Sequence, residues 1–454
     1  ATLPRPSTAL LATFDFWSRC QAEIMKGLAV YSSFLLACCV LGAAEPVSLS
    51  RGDSREELAA RVANMQARMR AESMDALFVT AEANIRYFTG FGSSFFLSPT
   101  RPWYIIVPAS GAPIAVVPSI GEDAFARAYT GRVITWSSPR VHDEGISELL
   151  SVFSELPRVF GRIGAELGSE TTVRMRIVDF DRLRSKLHEQ GMQVVDASYE
   201  ILRARVIKSE SEAARMHAAC RAQSAGYREI PKIIAEGMTE VEAVNAIKQL
   251  FLSKGADQTD FVVCRAGPVS YADIIGHPTQ RRLQAGDLVV VDAGTQVDGY
   301  FCDFNRNFAV GPPAKEVNDT YAKLDSAIDA ALQIIKPGTK FQDIYRAMAE
   351  TMEVSPSGGV GRMGHSCGLQ LTEWPSIHPD VTETLAAGMV LSLEPSLGIP
   401  SGDGRYVVTE EVVVVTETGY RLLSDRAPRQ IPVLHAVANA SRTGQYPSRV
   451  CTSA

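Results

Sequence analysis

The sequence predicts an α/β domain followed by an α+β domain, and three observations lead to this fold class. The chain has 454 residues, which is too long for one compact core and suggests two domains with tails. Within residues 51–205, short apolar strands alternate with amphipathic helices. Within residues 206–434, capped helices are combined with apolar, strand-like runs that contain isolated acids.

Residues 1–50 differ from the rest and resemble a leader. In the signal-like segment 25–44, Met25 and Lys26 precede an uncharged apolar run with small residues at its end. We expect this leader to be cleaved and the protein to be secreted or exported. An uncleaved anchor is the alternative, because the run reaches the lower limit of a membrane span. If the leader is not used, we expect a cytoplasmic protein.

The first domain is predicted from hydrophobic periodicity. Apolar residues recur at helical spacing near both ends of the domain and at strand spacing between them. The predicted elements are a helix over 55–74, strands over 75–80, 103–108 and 114–118, and a helix over 171–190.

The second domain begins with two helix-capping signals. Ser209 and Glu212 have the spacing of a capping box and open a long helix, and Thr239 and Glu242 repeat the device for the next helix. A third pair of helices is predicted on either side of residues 336–339. After residue 434, the tail 435–454 is rich in Ser and Arg and is expected to be flexible.

Two aspartates fall on one predicted hairpin. Asp292 ends an apolar run, and Asp303 follows an Asp298-Gly299 pair that supplies the positive φ angles of a tight turn. A loop at this pair aligns Asp292 with Asn305, whereas a loop one residue earlier places the two aspartates directly opposite each other. Both registers put the two carboxylates on one face of the sheet.

Further acids lie in strand-like surroundings, where an unpartnered carboxylate is costly. Glu394 and Glu410 are two of these acids, and His365 is the imidazole that precedes them. Divalent cations would remove the repulsion, and an oxygen-rich set with one imidazole suits Mn, Fe, Co or Zn. Glu411 adjoins Glu410 and points to the opposite face, so periodicity does not choose between them.

These residues carry a resemblance to a known family. Five motifs occur in the family's order over roughly residues 206–425, and a weaker similarity covers residues 84–91. The chain resembles the pita-bread metallopeptidase and creatinase superfamily, which includes Xaa-Pro aminopeptidases and prolidases. The motifs are Asp292-Ala293-Gly294, Gly299-Tyr300 with Asp303, Gly364 to Leu369, Gly388 to Pro395, and Glu410 ahead of Thr416 to Gly419.

The resemblance implies a creatinase-like amino-terminal domain, a pita-bread catalytic domain, a homodimer and a two-metal centre. It implies that a metal-bridging hydroxide attacks the substrate and that Glu394 moves the proton. His277 matches in order the histidine that holds the substrate carbonyl. The implied ligands, with Asp303 and Glu410 bridging both ions, are Asp292, Asp303, His365, Glu394 and Glu410.

Two positions depart from the pattern of the proline-specific peptidases. These peptidases carry a second histidine where this chain has Thr372, and an arginine where it has Val408. The nearest arginine to Val408 is Arg405. Substrate specificity is therefore open between Xaa-Pro peptides and other substrates of the fold.

The segment Glu373-Trp374-Pro375 is similar to another branch of this fold, the dimethylsulfoniopropionate lyases, which release dimethyl sulfide and acrylate. Their proposed base is an aspartate directly before this segment, and here that position is Thr372. A hydroxyl does not accept a proton at neutral pH. Hydrolysis is therefore preferred, with the lyase reaction as the alternative.

Charge and composition narrow the partners. The formal net charge is −6 at pH 7, and the basic residues are scattered, so the sequence disfavours nucleic acid as a partner. A small-molecule or peptide substrate fits better. No stable membrane association is expected once the leader is removed.

Overall fold

The first part of the chain folds around a six-stranded mixed sheet. The computed structural model describes residues 51–98, 100–267, 275–354, 361–401 and 406–434. Strands β1–β2 and β2–β3 of this sheet are antiparallel, and its other neighbouring strands are parallel, in the order β4–β3–β2–β1–β5–β6. Its elements are α1 (Arg55–Ala71), β1 (Ala76–Val79), α2 (Glu82–Thr89), β2 (Tyr104–Pro108), β3 (Ile114–Pro118), α3 (Glu122–Ala128), β4 (Arg132–Trp136), α4 (Ile146–Glu155), β5 (Arg162–Ala165), α5 (Ile177–Glu189), β6 (Gln193–Asp196) and α6 (Ser198–Arg205).

Two predicted helices of this part are shorter in the structure. Helix α1 ends before Met74, because Ser73 has a φ of +56°, which a right-handed helix does not accommodate. Helix α5 begins well after Thr171. The amide of Arg174 donates a hydrogen bond to the Thr80 hydroxyl (2.7 Å), which holds the segment before α5 against strand β1 instead.

The second part of the chain forms two five-stranded sheets and one two-stranded sheet. One sheet has the order β18–β10–β8–β7 with β9 paired to β8, and the other has the order β12–β11–β13–β16–β17. The elements are α7 (Glu210–Ile233), α8 (Glu240–Ser253), β7 (Gln258–Ala266), β8 (Leu288–Val297), β9 (Tyr300–Phe301), β10 (Phe304–Val310), α9 (Lys315–Ile334), α10 (Phe341–Met352), β11 (Gly364–Ser366), β12 (Glu373–Ser376), β13 (Val390–Leu393), β14 (Ser396–Gly398), β15 (Tyr406–Val408), β16 (Glu411–Val415), β17 (Tyr420–Leu422) and β18 (Val433–Leu434).

Both predicted capping boxes are confirmed. Ser209 accepts a hydrogen bond from the amide of Glu212 at the start of α7, and Thr239 does the same with Glu242 at the start of α8. The predicted helical pair around residues 336–339 is also confirmed as α9 and α10. Local hydrogen bonds therefore fix where the helices that cover the sheets begin.

A single apolar core joins α9 and α10 to the sheet that contains β11, β13 and β16. Leu324 and Met348 from the helices and Leu391 and Val413 from the strands are fully buried in it. Replacing one such side chain with alanine typically costs about 2–5 kcal/mol. This packing holds rigid the three strands that present or adjoin the predicted site residues.

A buried chain of polar contacts runs from the first sheet to strand β12. Asn84 donates to Glu166 (2.6 Å) and accepts from Arg205 (2.7 Å). Arg205 also pairs with Glu373, whose second carboxylate oxygen lies 2.9 Å from the Lys208 ammonium. The segment Glu373-Trp374-Pro375 is thus anchored from residues on both sides of the predicted boundary after Arg205, and the boundary itself stays a prediction.

Among the residues that the structure describes, no helix combines the length and the apolar character needed to cross a bilayer. The signal-like segment 25–44 and the tail 435–454 lie outside the described residues. The cleaved leader and the flexible tail therefore stay predictions.

The ion pairs of Glu373 predict a pH-dependent contribution to stability. Burial alone would raise the pKa of Glu373, but Arg205 and Lys208 outweigh it and lower the pKa to about 2. A depressed carboxylate pKa stabilises the fold above its unfolded value, near pH 4.5, and the gain is lost as the pH falls towards 2. Glu373→Gln should lower the free energy of unfolding at pH 7 by about 3 kcal/mol.

Urea unfolding of the two proteins between pH 7 and pH 3 measures this contribution. The difference between them should be constant above pH 5 and should shrink as the pH falls below 4.5. Glu189→Gln is the control, because Glu189 forms an exposed ion pair with Lys186. A difference that does not change with pH would contradict the assignment.

Candidate metal centre

A tight hairpin brings the two aspartates together. Asp298 (φ +49°) and Gly299 (φ +78°) form the turn, Val297 pairs with Tyr300, and Asp292 pairs with Asn305. Of the two registers that the sequence left open, the first is therefore the one observed. Asp303, which precedes β10, is consequently a diagonal neighbour of Asp292 on the same face.

Helix α7 holds this hairpin from behind. The side-chain amide of Gln223 donates to the carbonyls of Ala293 and Phe304, both at 2.8 Å. The hydroxyl of Tyr227 lies 2.8 Å from the Phe304 carbonyl and 3.1 Å from the Val291 carbonyl. These contacts are made to the residues next to Asp292 and Asp303, so they fix the backbone from which both carboxylates project.

The neighbouring sheet supplies His365 and Glu394. Strand β11 pairs with β13, and Glu394 directly follows β13, where its amide donates to the carbonyl of Met363 (3.0 Å). The Ser392 hydroxyl donates to the Asp303 carbonyl (2.8 Å) and so connects β13 to the hairpin. Gly364 has a φ of +146°, and a Cβ at this position would clash with the Ser392 carbonyl.

The ring of His365 points between two acids. Its Nε2 lies 3.3 Å from an oxygen of Asp303 and 3.5 Å from an oxygen of Glu394. Its Nδ1 lies 2.9 Å from the carbonyl oxygen of Ser366, which orients the ring as a donor on that side. Nε2 is therefore the nitrogen that faces the carboxylates.

Glu410 and Glu411 diverge to opposite faces, as their adjacency predicts. The carboxylate oxygens of Glu410, Asp292 and Asp303 include atoms that all lie within 4.8 Å of one another. Glu411 instead pairs with Arg306 (3.1 Å) and accepts a hydrogen bond from the Ala427 amide (2.6 Å). Of the two glutamates, the structure brings Glu410 to the other acids.

The structure thus gathers the five residues predicted as ligands. We call them the five-residue cluster, and they are Asp292, Asp303, His365, Glu394 and Glu410.

The cluster is electrostatically costly as a set of bare side chains. Burial, and after it the neighbouring acids, raise the pKa of Asp292 and of Glu410 well above their usual range. Burial also raises the pKa of Asp303, in spite of the hydrogen bond with His365. Burial alone would lower the pKa of His365, but Asp303 and Glu394 outweigh it and raise the pKa to about 10.

The donor set fits divalent cations. Oδ1 of Asp292 is buried and has no hydrogen-bond partner among the described residues, although a buried charged oxygen normally has one. Four carboxylates and one imidazole are a ligand set suited to Mn, Fe, Co or Zn. Cations between the four carboxylates would neutralise their negative charges.

His277 lies on an exposed loop. Its backbone carbonyl accepts a hydrogen bond from Arg265 (3.2 Å), and in the described part of the chain no contact joins its imidazole to the five-residue cluster. The residues directly before this loop, 268–274, are outside the described residues, as is Arg405. The substrate-binding role of His277 stays a prediction.

One residue beside the cluster was missed from the sequence. Nε of Arg362 donates to Glu394 (3.0 Å), and its Nη2 lies 3.4 Å from the hydroxyl of Thr372. Burial alone would raise the pKa of Glu394, but His365 and Arg362 outweigh it and lower the pKa. Only the position of Arg362 three residues before His365 could have indicated this contact.

Comparisons with known proteins agree with this architecture. Residues 214–417 match the model of metallopeptidase family M24, and residues 61–207 match the creatinase/prolidase N-terminal domain. An uncharacterized peptidase of Staphylococcus aureus (strain MW2) is 27% identical over 356 residues, which cover 78% of this chain and 95% of that protein. An uncharacterized peptidase of Staphylococcus epidermidis is 27% identical over 359 residues, with 78% and 96% covered.

Solved structures give the same fold. A prolidase from Thermococcus sibiricus superposes with a TM-score of 0.74 at 23% identity, covering 84% of this chain and all of that one. The dipeptidase PepE from Mycobacterium ulcerans superposes with a TM-score of 0.71 at 26% identity, covering 84% and 99%. The structure therefore has a pita-bread domain behind a creatinase-type domain, as these solved structures do. Residues 61–417 therefore combine a creatinase/prolidase N-terminal domain with a metallopeptidase family M24 domain.

The charges of the cluster predict how the metal-free protein responds to pH. An acid with a raised pKa binds a proton on folding and destabilises the fold once the pH exceeds its unfolded value, near 4. His365 acts in the same direction, because its raised pKa gives stability below pH 6.5 that is lost as the pH rises through 10. Metal-free protein should therefore melt at a lower temperature at pH 8 than at pH 5.5.

Differential scanning calorimetry in the presence of a chelator tests this pH dependence. Asp292→Asn should flatten it, whereas Asp319→Asn should not, because Asp319 forms an exposed ion pair with Lys315. Mn²⁺ should raise the melting temperature more at pH 8 than at pH 5.5. A metal-free protein that is more stable at pH 8 would show that the acids do not repel one another.

Proposed function

We propose that this protein is a two-metal peptidase of the Xaa-Pro type, a dipeptidase or aminopeptidase that cleaves the bond before proline. The observation that carries the proposal is the convergence of the five-residue cluster from separate strands and loops into one buried place. The match of residues 214–417 to metallopeptidase family M24 supports peptide hydrolysis with divalent metal ions.

The number of cations follows from charge. The four carboxylates of the cluster carry four formal negative charges in a buried site, and one divalent cation would leave two of them uncompensated. Two divalent cations balance the four charges, with His365 neutral as a nitrogen ligand. All five cluster residues would hold the pair.

The chain's own residues divide the remaining work. When bound, the cations supply Lewis-acid chemistry, which polarises a carbonyl oxygen and makes water more acidic. The Glu394 side chain is 20% exposed, against 9% for Asp303 and 1% for His365. Asp292 and Glu410 are buried. The Glu394 carboxylate can take a proton from water and pass it to the leaving amine.

The other parts of the site fix geometry. Gln223 and Tyr227 hold the hairpin backbone, and the carbonyl of Ser366 orients His365, so little reorganisation is needed during the reaction. For His277 we propose the role that the resemblance implies, a hydrogen bond to the substrate carbonyl.

Proline specificity has its support in the structural neighbours. These include the prolidase from Thermococcus sibiricus, an Xaa-Pro aminopeptidase from Thermotoga maritima and an Xaa-Pro dipeptidase from Bacillus anthracis. Thr372 and Val408 replace a histidine and an arginine of that group, so the chain binds its substrate with different side chains. Val408 is buried, and its carbonyl accepts from Asn305 (3.0 Å).

The lyase alternative has no base at the expected place. The Thr372 hydroxyl lies beside Arg362, and Glu373 is committed to buried ion pairs with Arg205 and Lys208. Neither side chain is placed to abstract a proton from a carbon acid. These contacts favour hydrolysis over carbon–sulfur cleavage.

Three further properties complete the proposal. Manganese is our first choice of metal, since an oxygen-rich set with one imidazole accepts it. We also propose a homodimer, as the resemblance of the amino-terminal domain implies. Export is proposed on the strength of the segment 25–44, with a cytoplasmic location if that leader is not used.

Peptide hydrolysis is tested with purified protein and Mn²⁺. Alanyl-proline should be hydrolysed, and Asp303→Ala should lower kcat/KM at least about 100-fold, because a metal ligand matters more than its supporting contacts. Asp319→Asn serves as the surface control and should retain full activity. Release of dimethyl sulfide from dimethylsulfoniopropionate, without peptide turnover, would establish the lyase reaction and overturn the proposal.

A further inference from the structure

Arg362 lies at the accessible side of the five-residue cluster. Its side chain is 35% exposed, and it contacts Glu394, itself 20% exposed. Nε of Arg362 is committed to Glu394 and Nη2 approaches Thr372, whereas Nη1 donates no hydrogen bond to any residue that the structure describes. The Nη1 group is therefore available to a ligand beside the cluster.

The guanidinium of Arg362 places a positive charge at the accessible side of the cluster. Its ion-pair partner there is Glu394, which is one of the four carboxylates that the cations would also share. Arg306, by contrast, is paired with Glu411 on the opposite face of the strand. An anionic ligand group that enters beside the cluster would therefore find a charged donor in Arg362.

Distance limits where that anionic group can be. Glu394 passes the proton of water to the nitrogen that leaves from the scissile bond, and Nε of Arg362 is 3.0 Å from Glu394. Consecutive α-carbons are about 3.8 Å apart, so the carboxylate of the residue directly after the scissile bond is within reach. Each additional residue moves a terminal carboxylate up to about 3.3–3.6 Å further away.

We propose that Arg362 is a specificity-determining residue that binds the free α-carboxylate of the residue after the scissile bond, which makes dipeptides the preferred substrate class. The inference rests on the proposed peptidase function. Thr372 has a positioning role, because its hydroxyl lies 3.4 Å from Nη2 of the guanidinium while Nε contacts Glu394. In this chain the carboxylate is thus bound by Arg362, which precedes β11. Strand β15 does not supply the ligand, because Val408 is apolar and buried.

The experiment compares two substrates that differ only in this carboxylate. With Mn²⁺-loaded protein, kcat/KM for alanyl-proline should exceed that for alanyl-prolinamide by about tenfold or more, the usual effect of a charge-assisted hydrogen bond. Arg362→Gln should bring this ratio close to one, mainly through KM for alanyl-proline, whatever the variant does to the absolute rate. Arg362→Lys should keep part of the ratio, because it keeps the charge without the planar fork.

Controls and a binding measurement separate the outcomes. Arg346→Gln should leave the ratio unchanged, since Arg346 forms an exposed pair with Asp343 (3.1 Å) on α10. Calorimetry with L-proline and L-prolinamide provides a readout without turnover. Proline should bind more tightly than its amide to the parent protein, and Arg362→Gln should remove that difference.

Three results would overturn the inference. A ratio near one in the parent protein, or a ratio that survives Arg362→Gln, refutes carboxylate binding by Arg362 while peptide hydrolysis stands. Failure to hydrolyse either substrate refutes the proposed function instead. If neither substrate is hydrolysed, calorimetry still tests carboxylate binding. A parent protein that binds proline no more tightly than prolinamide would refute the inference as well.

Discussion

The structure depends on one constraint, which is that several buried carboxylates must share one small volume. Isolated, each would bind a proton, since low dielectric surroundings and like charges both oppose ionisation. Three of the four acids show this effect directly in their raised pKa values. Cations reverse the balance, because the same closeness that makes the acids repel makes them good ligands together. The fold therefore concentrates unfavourable charge at the place where it is chemically useful.

The neighbouring strands solve this problem by using their two faces differently. On one face Glu410 joins the cluster, and on the other Glu411 is paired with Arg306, which also donates to the Glu410 carbonyl (2.7 Å). Because side chains alternate along a strand, the two adjacent glutamates have different roles. Glu410 adds a negative charge to the cluster, and the charge of Glu411 is compensated by Arg306. Behind the hairpin, Gln223 supports the backbone in a comparable way. The paired residues of the supporting face hold the backbone in place while the acids on the other face lie close together.

Much of this arrangement could be predicted from the sequence, because it depends on local rules. Hairpin parity placed Asp292 and Asp303 on one face in either register, and the capping boxes located two helix starts. Strand periodicity only states that Glu410 and Glu411 diverge, so the choice of Glu410 came from the family resemblance, and the structure brings Glu410 to the other acids. Arg362 was missed, because its contact with Glu394 joins two segments through tertiary packing, and the sequence hints at it only by placing Arg362 three residues before His365. The order of the motifs could not locate the His277 ring.

The metal content of the purified protein tests the central claim most directly. After dialysis against Mn²⁺ and removal of the free ion, inductively coupled plasma mass spectrometry counts the cations that each chain retains. The account predicts two divalent cations per chain, and fewer in Asp303→Ala, with an unchanged far-ultraviolet circular dichroism spectrum. A folded parent protein that retains no cation would contradict it, because its buried acids would then be neutralised in some other way.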